Sequence, residues 1–378
     1  MAIDLHFAPE DWQRIERDWA AWWAGELDRP LVLIQADDPP PGARLPEAPD
    51  FVAHLPLEMP ADQVIDRYQA HLEVRRFYGD AFPKWWPNYG PGILAGFLGA
   101  RVHPDSRTVW FEPARTVAIR DLHLAYDPAN VWWQRVLELT RAAVERWRGQ
   151  VAVAHTDLGG NLDILASFRT TEGLLLELCD APEEIARLAG EITRLWLRYY
   201  DELYAIIRTV GRGTTPWAAI WSPGRCYMLQ CDLAYMISPQ MFERFVLPDL
   251  AACCQHLDHG FYHLDGKGQI PHLDMLLALE RLRGIQWIPG DGSPPPEEWL
   301  PLLKRIRHAG KLCQLYVSAQ GARTIVRELG GRGFALHIKD EMRQAEAEDF
   351  LRLLASEDAT RPRPTPSPPG GEGAQPRH

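Results

Sequence analysis

Short apolar runs alternate with longer stretches of helical periodicity along most of this chain. Eight runs of five or six residues predict strands that are buried on both faces, at 31–36, 81–86, 151–155, 217–221, 260–264, 284–288, 312–317 and 334–338. Between them, apolar residues recur with the period of a helix at 61–77, 127–148, 182–209, 238–256, 271–281, 295–308, 319–329 and 342–355.

Eight strands that are each followed by a helix indicate an α/β fold of the (β/α)₈ TIM barrel type, occupying residues 1–355 as a single domain. An amphipathic helix from Pro9 to Leu27 is expected to dock on the outside of the barrel. The segment 88–120 predicts a small insertion, a helix and a hairpin, over the barrel mouth. The tail, 356–378, is rich in Pro, Gly and charge, so we expect it to be disordered.

Composition and charge narrow the class of protein. The net charge of −11 argues against binding to nucleic acid. Six cysteines without a CxxC pair favour free thiols in a reducing compartment. No apolar run approaches the ~18–20 residues that a membrane span needs. The N-terminus has no secretory signal pattern, which favours a cytoplasmic protein. The glycine clusters match no P-loop or dinucleotide fingerprint, so no nucleotide cofactor is expected.

The apolar run at 260–264 ends in two side chains that suit a metal ion. His263 and Asp265 are two residues apart on a strand and should therefore point to the same face, at the carboxyl end where barrel enzymes carry their active sites. Either Cys231 or His337 could complete a three-ligand site of the kind that holds catalytic zinc. The alternative is structural: Asp265 orients His263 or caps a helix, and Cys231 is a small buried apolar residue.

Other residues near strand ends are candidates for binding and acid–base chemistry. Asp157, Asp232 and Asp265 could carry protons. Asp163 could anchor a polar substrate group or cap a helix, and Arg225 could clamp a substrate carboxylate or lie exposed on the surface. Aromatic side chains at the loop mouths could line a pocket for a small molecule, and these are Trp217, Trp221 and Trp287.

Four motifs give the chain its resemblance to a known family. They are RP at 29–30, GPGILAGFLG at 90–99, ISPQMFERFVLP at 237–248 and HLDG at 263–266. With these motifs the chain resembles the uroporphyrinogen decarboxylase superfamily over residues 25–355. That superfamily also contains zinc-dependent methyltransferases that serve corrinoid proteins. The resemblance implies a (β/α)₈ barrel, a carboxyl-end active site and a homodimer.

Departures from the family pattern bear on the reaction. The stretch 31–38 is acidic and lacks the arginines that grip porphyrinogen carboxylates, and the essential aspartate of true decarboxylases falls on Asn88, a candidate substrate-binding residue. The methyltransferase branch is the nearer one. His263 matches its His-x-Cys-Gly zinc motif, whereas Asp265 stands at the first Cys and His337 lies near the last zinc ligand. Such harder ligands suit a more Lewis-acidic ion.

The sequence thus predicts metal-assisted methyl transfer that involves a small substrate and a corrinoid or thiol partner. Two alternatives stay open. One is a metal-free decarboxylase or lyase, in which carboxylates perform the acid–base work. The other is a non-catalytic barrel that holds a small ligand.

Overall fold

Eleven strands and thirteen α-helices are distributed along residues 3–360, which are the residues that the computed structural model describes. The strands are β1 (Leu31–Asp37), β2 (Arg75–Gly79), β3 (Lys84–Trp85), β4 (Arg101–Pro104), β5 (Val109–Glu112), β6 (Ala152–Val153), β7 (Cys226–Leu229), β8 (His259–Asp265), β9 (Leu282–Ile288), β10 (Leu312–Val317) and β11 (Phe334–Ile338). The helices are α1 (Pro9–Ala24), α2 (Ala61–Val74), α3 (Leu94–Phe97), α4 (Val131–Trp147), α5 (Asn161–Arg169), α6 (Thr171–Asp180), α7 (Pro182–Ile207), α8 (Pro239–Phe245), α9 (Leu247–His256), α10 (Leu273–Ala278), α11 (Leu300–His308), α12 (Ala319–Leu329) and α13 (Gln344–Ala359).

A seven-stranded sheet, in the order β2-β1-β11-β10-β9-β8-β7, forms the centre of the molecule. Its strands run parallel except for β2, which pairs antiparallel with β1. A second parallel pair joins β3 to β6, and β4 and β5 form a hairpin. Helices follow most parallel strands, as α/β folds require, because parallel neighbours must be joined by a crossover. The strand order is compatible with a barrel, but the ladders among residues 3–360 do not close into one.

The predicted strand at 217–221 is wrong. Because no strand forms there, the ladder is interrupted between β6 and β7. Those residues follow an irregular path within the loop that an isolated antiparallel bridge of Thr214 to Ser222 closes, and the observed strand β7 begins only at Cys226. Gly213 turns the chain with φ +70°, and a Cβ there would lie 2.1 Å from the carbonyl oxygen of Ser222. Pro216 has no N–H to give to a ladder. The apolar run is therefore largely buried without being a strand.

Other boundaries also differ from the sequence prediction. The second and third predicted strands shorten to β3 and β6. The first predicted strand corresponds to β1, and the last four correspond to β8–β11. The predicted helix 61–77 ends at Val74, and β2 follows at once as an antiparallel edge strand. The insertion contains the expected helix and hairpin, α3 and β4–β5. Helix α13 continues to Ala359, past the expected end of the domain, and residues 361–378 lie outside the described part.

Helix α1 packs its tryptophans across the amino ends of the strands. Trp23 stacks on His259, the first residue of β8, with ring centroids 4.2 Å apart, and its Nε1 donates to the carbonyl of Trp221 at 2.8 Å. Trp22 stacks on Phe261 at 6.0 Å. The helix was expected to dock on the outside of the barrel, whereas these contacts place it at one end. In the described part of the chain, no helix has both the length and the apolarity that crossing a bilayer requires.

Candidate functional site

Alternation along the parallel strands directs one row of polar side chains to the inside of the sheet. His263 on β8 pairs in register with Gln286 on β9, which in turn pairs with Gln314 on β10. Nδ1 of His263 donates to Oε1 of Gln286, and Nε2 of Gln286 donates to Oε1 of Gln314. Because an amide oxygen only accepts, the proton of the imidazole lies on Nδ1 and the lone pair on Nε2.

The free Nε2 of His263 faces two carboxylates. It lies 3.8 Å from Oδ2 of Asp265, and one ligand atom from each of Asp232, His263 and Asp265 falls within 4.8 Å of the others. Around a tetrahedral ion with bonds of ~2.1 Å, ligand atoms are roughly 3.4 Å apart, so small side-chain rotations would suffice. Nitrogen with two carboxylate oxygens is a donor set that fits zinc and harder divalent ions. These three residues are therefore the candidate metal centre.

Asp163 holds the third candidate ligand, Asp232, in place. Its carboxylate accepts from the backbone N–H groups of Asp232 and Leu233, at 2.9 and 2.8 Å, which fixes the turn that carries Asp232. Burial, and then the charge of Asp232, raises the pKa of Asp163 to about 8. Asp163 is thus the cap of this turn, and its side chain is only partly exposed. Gly160 allows the approach, since a Cβ there would meet the carbonyl oxygen of Gln230 at 2.1 Å.

Asp157 lies buried beside this group. Its Oδ1 accepts from the N–H of Gly159 at 2.8 Å. Burial raises its pKa to about 7, and the charge of Asp232 adds to the rise. Burial also raises the pKa of Asp232, although this residue keeps an exposed edge at the mouth. The structure thus brings together Asp157, Asp163, Asp232, His263 and Asp265, which were all candidates from the sequence.

Cys231 and His337 are not members of the candidate metal centre. Cys231 is fully buried, and burial holds the pKa of its thiol well above the usual range. Nε2 of His337 donates to the carbonyl of Ala219 at 3.2 Å, across the interior from β11. Burial lowers the pKa of His337 to about 4. Among residues 3–360, the third ligand that geometry supplies is Asp232.

The other predicted binding residues lie in several places. Trp217 is at the site, since its ring meets that of His263 edge-on at 5.3 Å. Trp221 is not, because its backbone carbonyl accepts from α1 at the opposite end of the strands. Arg225 precedes the first residue of β7, also at the amino end, where it lies over the Tyr204 ring at 4.6 Å.

Trp287 and Asn88 do not point into the site either. Trp287 follows the inward Gln286, so alternation turns it outward, where it is buried against Trp299 at 5.1 Å. Asn88 ties two loops together: its Nδ2 donates to the carbonyl of Asp50 and its Oδ1 accepts from the N–H of Gly90. Neither was distinguishable from a pocket residue by sequence position alone.

Sequence reasoning missed Gln286, Gln314 and Lys84. The two glutamines interrupt apolar strands at the inward position, and that interruption was a usable signal. Lys84 stands alone in the run FPKWWP, and its amine donates to the carbonyl of Trp217 inside the fold. Burial lowers the pKa of Lys84 to about 7.

Comparison with known proteins shows similarity in fold to a solved structure. No protein-family model matches the chain, and no curated protein matches it in sequence. Among solved structures, the chain is similar to a methyltransferase from Methanosarcina mazei, with a TM-score of 0.58 and 13% identity, over 91% of this chain and 98% of that one. At this identity the likeness shows a shared fold. The resemblance to the uroporphyrinogen decarboxylase superfamily stays a prediction.

Proposed function

We propose that the chain is a methyltransferase of the α/β class that binds a divalent metal on Asp232, His263 and Asp265. The observation that carries the proposal is the convergence of these three side chains, with His263 oriented by Gln286. Ligating histidines usually donate their second ring N–H to an acceptor of this kind. The methyltransferase-like fold supports the class of reaction.

The chemistry of the donor set indicates what such a site would do. When bound, the ion would act as a Lewis acid on a substrate oxygen, nitrogen or sulfur atom. Around it, Trp217 excludes water from one side of His263. Asp157, whose pKa is raised to about 7, can hold or release a proton near neutral pH. A small neutral or cationic substrate suits this acidic mouth better than an anion does.

Metal analysis of freshly purified protein tests the proposal. We expect about one divalent ion per chain in the wild type, and loss of that ion in Asp232→Ala, His263→Ala and Asp265→Ala. The control is His256→Ala, which breaks another His–Asp pair, with Nε2 of His256 2.7 Å from Asp201, and should keep the metal. Substoichiometric metal that none of the three substitutions changes would contradict the site.

The transfer step needs its own assay. Demethylation of methylcobalamin with a panel of thiol, amine and hydroxyl acceptors, before and after chelation, measures methyl transfer and identifies the acceptor. A corrinoid protein as the physiological partner, and a homodimer as the assembly, remain predictions. No demethylation with any acceptor, in protein that holds the metal, would overturn the proposed class of reaction.

A metal-free lyase or decarboxylase is the second candidate. It is favoured by two neighbouring carboxyl groups, Asp157 and Asp163, whose pKa values burial raises to about 7 and about 8. Arg225 cannot serve it as the carboxylate clamp, because it lies at the amino end of the strands. Turnover that survives a strong chelator would favour a metal-free lyase or decarboxylase over the metal-dependent methyltransferase. A ligand recovered unchanged after long incubation would favour a binding protein.

A further inference from the structure

The backbone supports the three candidate metal ligands in different ways. His263 and Asp265 lie on β8, whereas Asp232 begins a short 3₁₀ helix, Asp232–Met236, that follows β7 and is called the first turn below. The carboxylates of Asp232 and Asp265 have oxygen atoms within 4.8 Å of each other, so they repel before an ion binds. Other contacts must therefore keep Asp232 beside β8.

A second short 3₁₀ helix, Lys267–His272, packs against the first turn and is called the second turn. It comes directly after Gly266, whose N–H donates to the carbonyl of Ile288 on β9 at 2.7 Å. Within it, Oε1 of Gln269 accepts from the hydroxyl of Tyr262 on β8 at 2.9 Å. These bonds anchor the second turn to the sheet.

His272, the last residue of the second turn, is hydrogen-bonded to the first turn. Its Nε2 donates to the carbonyl of Ala234 at 2.8 Å, and both residues are buried. The ring stacks on Phe242 of α8, with centroids 4.4 Å apart and planes 6° from parallel. Because a carbonyl oxygen only accepts, the proton of the neutral ring lies on Nε2. One side chain, held by stacking, thus joins the two turns.

Tyr235 makes another contact between the two turns. Its ring packs over two glycines, so that a Cβ would lie 2.8 Å from the ring on Gly266 and 2.7 Å from it on Gly268. Gly268 does not have a positive φ, so the Tyr235 ring, and not the backbone conformation, leaves no room for a side chain there. The ring is 48% exposed and covers this contact from outside.

We propose that His272 is a positioning residue, which fastens the first turn to the second and so holds Asp232 beside the two candidate ligands on β8. Asp163 on α5 binds the N–H groups at the start of the first turn, and His272 binds a carbonyl at its centre. The inference rests on the proposed function, because it concerns the ligands of that metal site. A ligand that is already in place loses little freedom when the ion binds, so the contact lowers the metal Kd.

Two substitutions separate the N–H group of His272 from its ring. His272→Phe keeps an aromatic ring against Phe242 but has no N–H, whereas His272→Gln loses the ring and carries an N–H at a similar distance from the backbone. We expect the metal Kd to rise roughly 10-fold in His272→Phe and to stay within about threefold of the wild type in His272→Gln. A purely structural role predicts instead that Kd follows the loss of stability in each variant. Titration calorimetry measures Kd, and urea denaturation of the apoprotein measures stability.

Hydrogen exchange of the metal-free protein tests the positioning without any ion. The N–H groups of Asp232 and Leu233 are bonded to Asp163 only while the first turn is in place. With chelator present, we expect peptides that cover residues 230–236 to exchange about 10-fold faster in His272→Phe than in the wild type or in His272→Gln. Peptides from β10 give the reference for opening of the whole fold.

The same chain offers matched controls. His54→Phe removes a bond of the same kind, from Nε2 to the carbonyl of Asp105 at 2.7 Å, between β1 and α2, and should change neither Kd nor exchange of the first turn. Gly268→Ala should displace the Tyr235 ring and raise both. Gly190→Ala should raise neither, because nothing lies within 4 Å of the added Cβ.

Several results would overturn the proposal. One is a Kd, or an exchange rate of the first turn, that is the same in His272→Phe and the wild type. Another is an equal rise of Kd in His272→Phe and His272→Gln, since the N–H would then not be the cause. If His272→Phe folds poorly, equal exchange in Gly268→Ala and Gly190→Ala would have the same force. A wild type that holds no ion but shows the expected exchange difference would contradict the proposed function and support the positioning role of His272.

Discussion

A single amide decides which nitrogen of His263 is available. Oε1 of Gln286 accepts from Nδ1, and the next amide, that of Gln314, holds Gln286 in the orientation that makes this possible. Gln286, which orients the His263 ring, therefore lies on the strand next to the one that carries His263. This arrangement gives Gln286 a role that can be measured separately from ligation.

Gln286→Met should weaken metal binding without abolishing it. Methionine fills a similar volume but offers Nδ1–H no oxygen, so we expect the metal Kd to rise about 10–100-fold. Titration calorimetry of the apoprotein measures this change. Gln35→Met, on β1 outside the chain of amides, serves as the control and should bind as the wild type does. Unaltered affinity in Gln286→Met would show that the amide does not orient the ligand.

His155 makes the fold sensitive to acid. Its ring stacks on Tyr200 with centroids 4.3 Å apart, and burial lowers its pKa to about 3. Between pH 6.5 and 3 the unfolded chain binds a proton that the folded chain does not, so stability falls as the pH falls through this window. The stabilising contribution of the neutral ring is complete only above the unfolded pKa.

His155→Phe should remove that sensitivity, because phenylalanine keeps the stacked ring and cannot be protonated. At pH 4.5 the variant should be more stable than the wild type by about 3 kcal/mol, and at pH 7 the two should differ little. Urea denaturation at both pH values measures the difference. His308→Phe, at an exposed position on α11, should show no such gain at pH 4.5.

At the scale of elements, the segment 214–222 takes the place of a strand. The carbonyls of this segment receive Lys84 and His337 from the two sides of the interior, and Nε1 of Trp217 donates to Met228 on β7 at 3.2 Å. It depends on Gly213, which has both a positive φ and no room for a Cβ.

Gly213→Ala should destabilise the protein by about 3 kcal/mol, because the added methyl strains the backbone and also displaces the carbonyl of Ser222. Gly310→Ala is the matched control: φ is +77° there, but nothing lies within 4 Å of the added Cβ. It should cost about 1 kcal/mol, from backbone strain alone. Equal losses in denaturation experiments would mean that the tight contact at Gly213 is not needed.

Sequence alone predicted the elements whose pattern is local. Strands β8 to β11 show mainly apolar runs between helix signals, interrupted at inward positions by Gln286 and Gln314, and the i, i+2 rule correctly placed His263 and Asp265 on one face. Residues 217–221 have the same apolar pattern but lie beside Gly213 and Pro216, whose backbone effects depend on what surrounds them. The sequence did not mark Asp232 as a candidate metal ligand, because this residue comes from a turn that Asp163 holds through backbone N–H groups.

For the whole molecule, metal binding should appear as added stability. An ion that binds the folded chain alone stabilises it by about 2.7 kcal/mol at 100 times its Kd. Thermal denaturation with and without Zn²⁺ or Mn²⁺ should therefore show Tm rising by a few degrees. The rise should vanish in His263→Ala and persist in His256→Ala. A rise that is equal in all three proteins would point to ions bound elsewhere.

Because residues 214–222 follow an irregular path, the part of the chain that lines the site is separate from the strands that hold the candidate metal ligands. The candidate metal ligands lie on β8 and in the turn after β7, whereas residues 214–222, which carry Trp217 to His263, pair with no neighbouring strand. The length and side chains of this segment could change without shifting the register of any strand. Substitutions in residues 214–222 could therefore change the substrate while the candidate metal ligands stay in place.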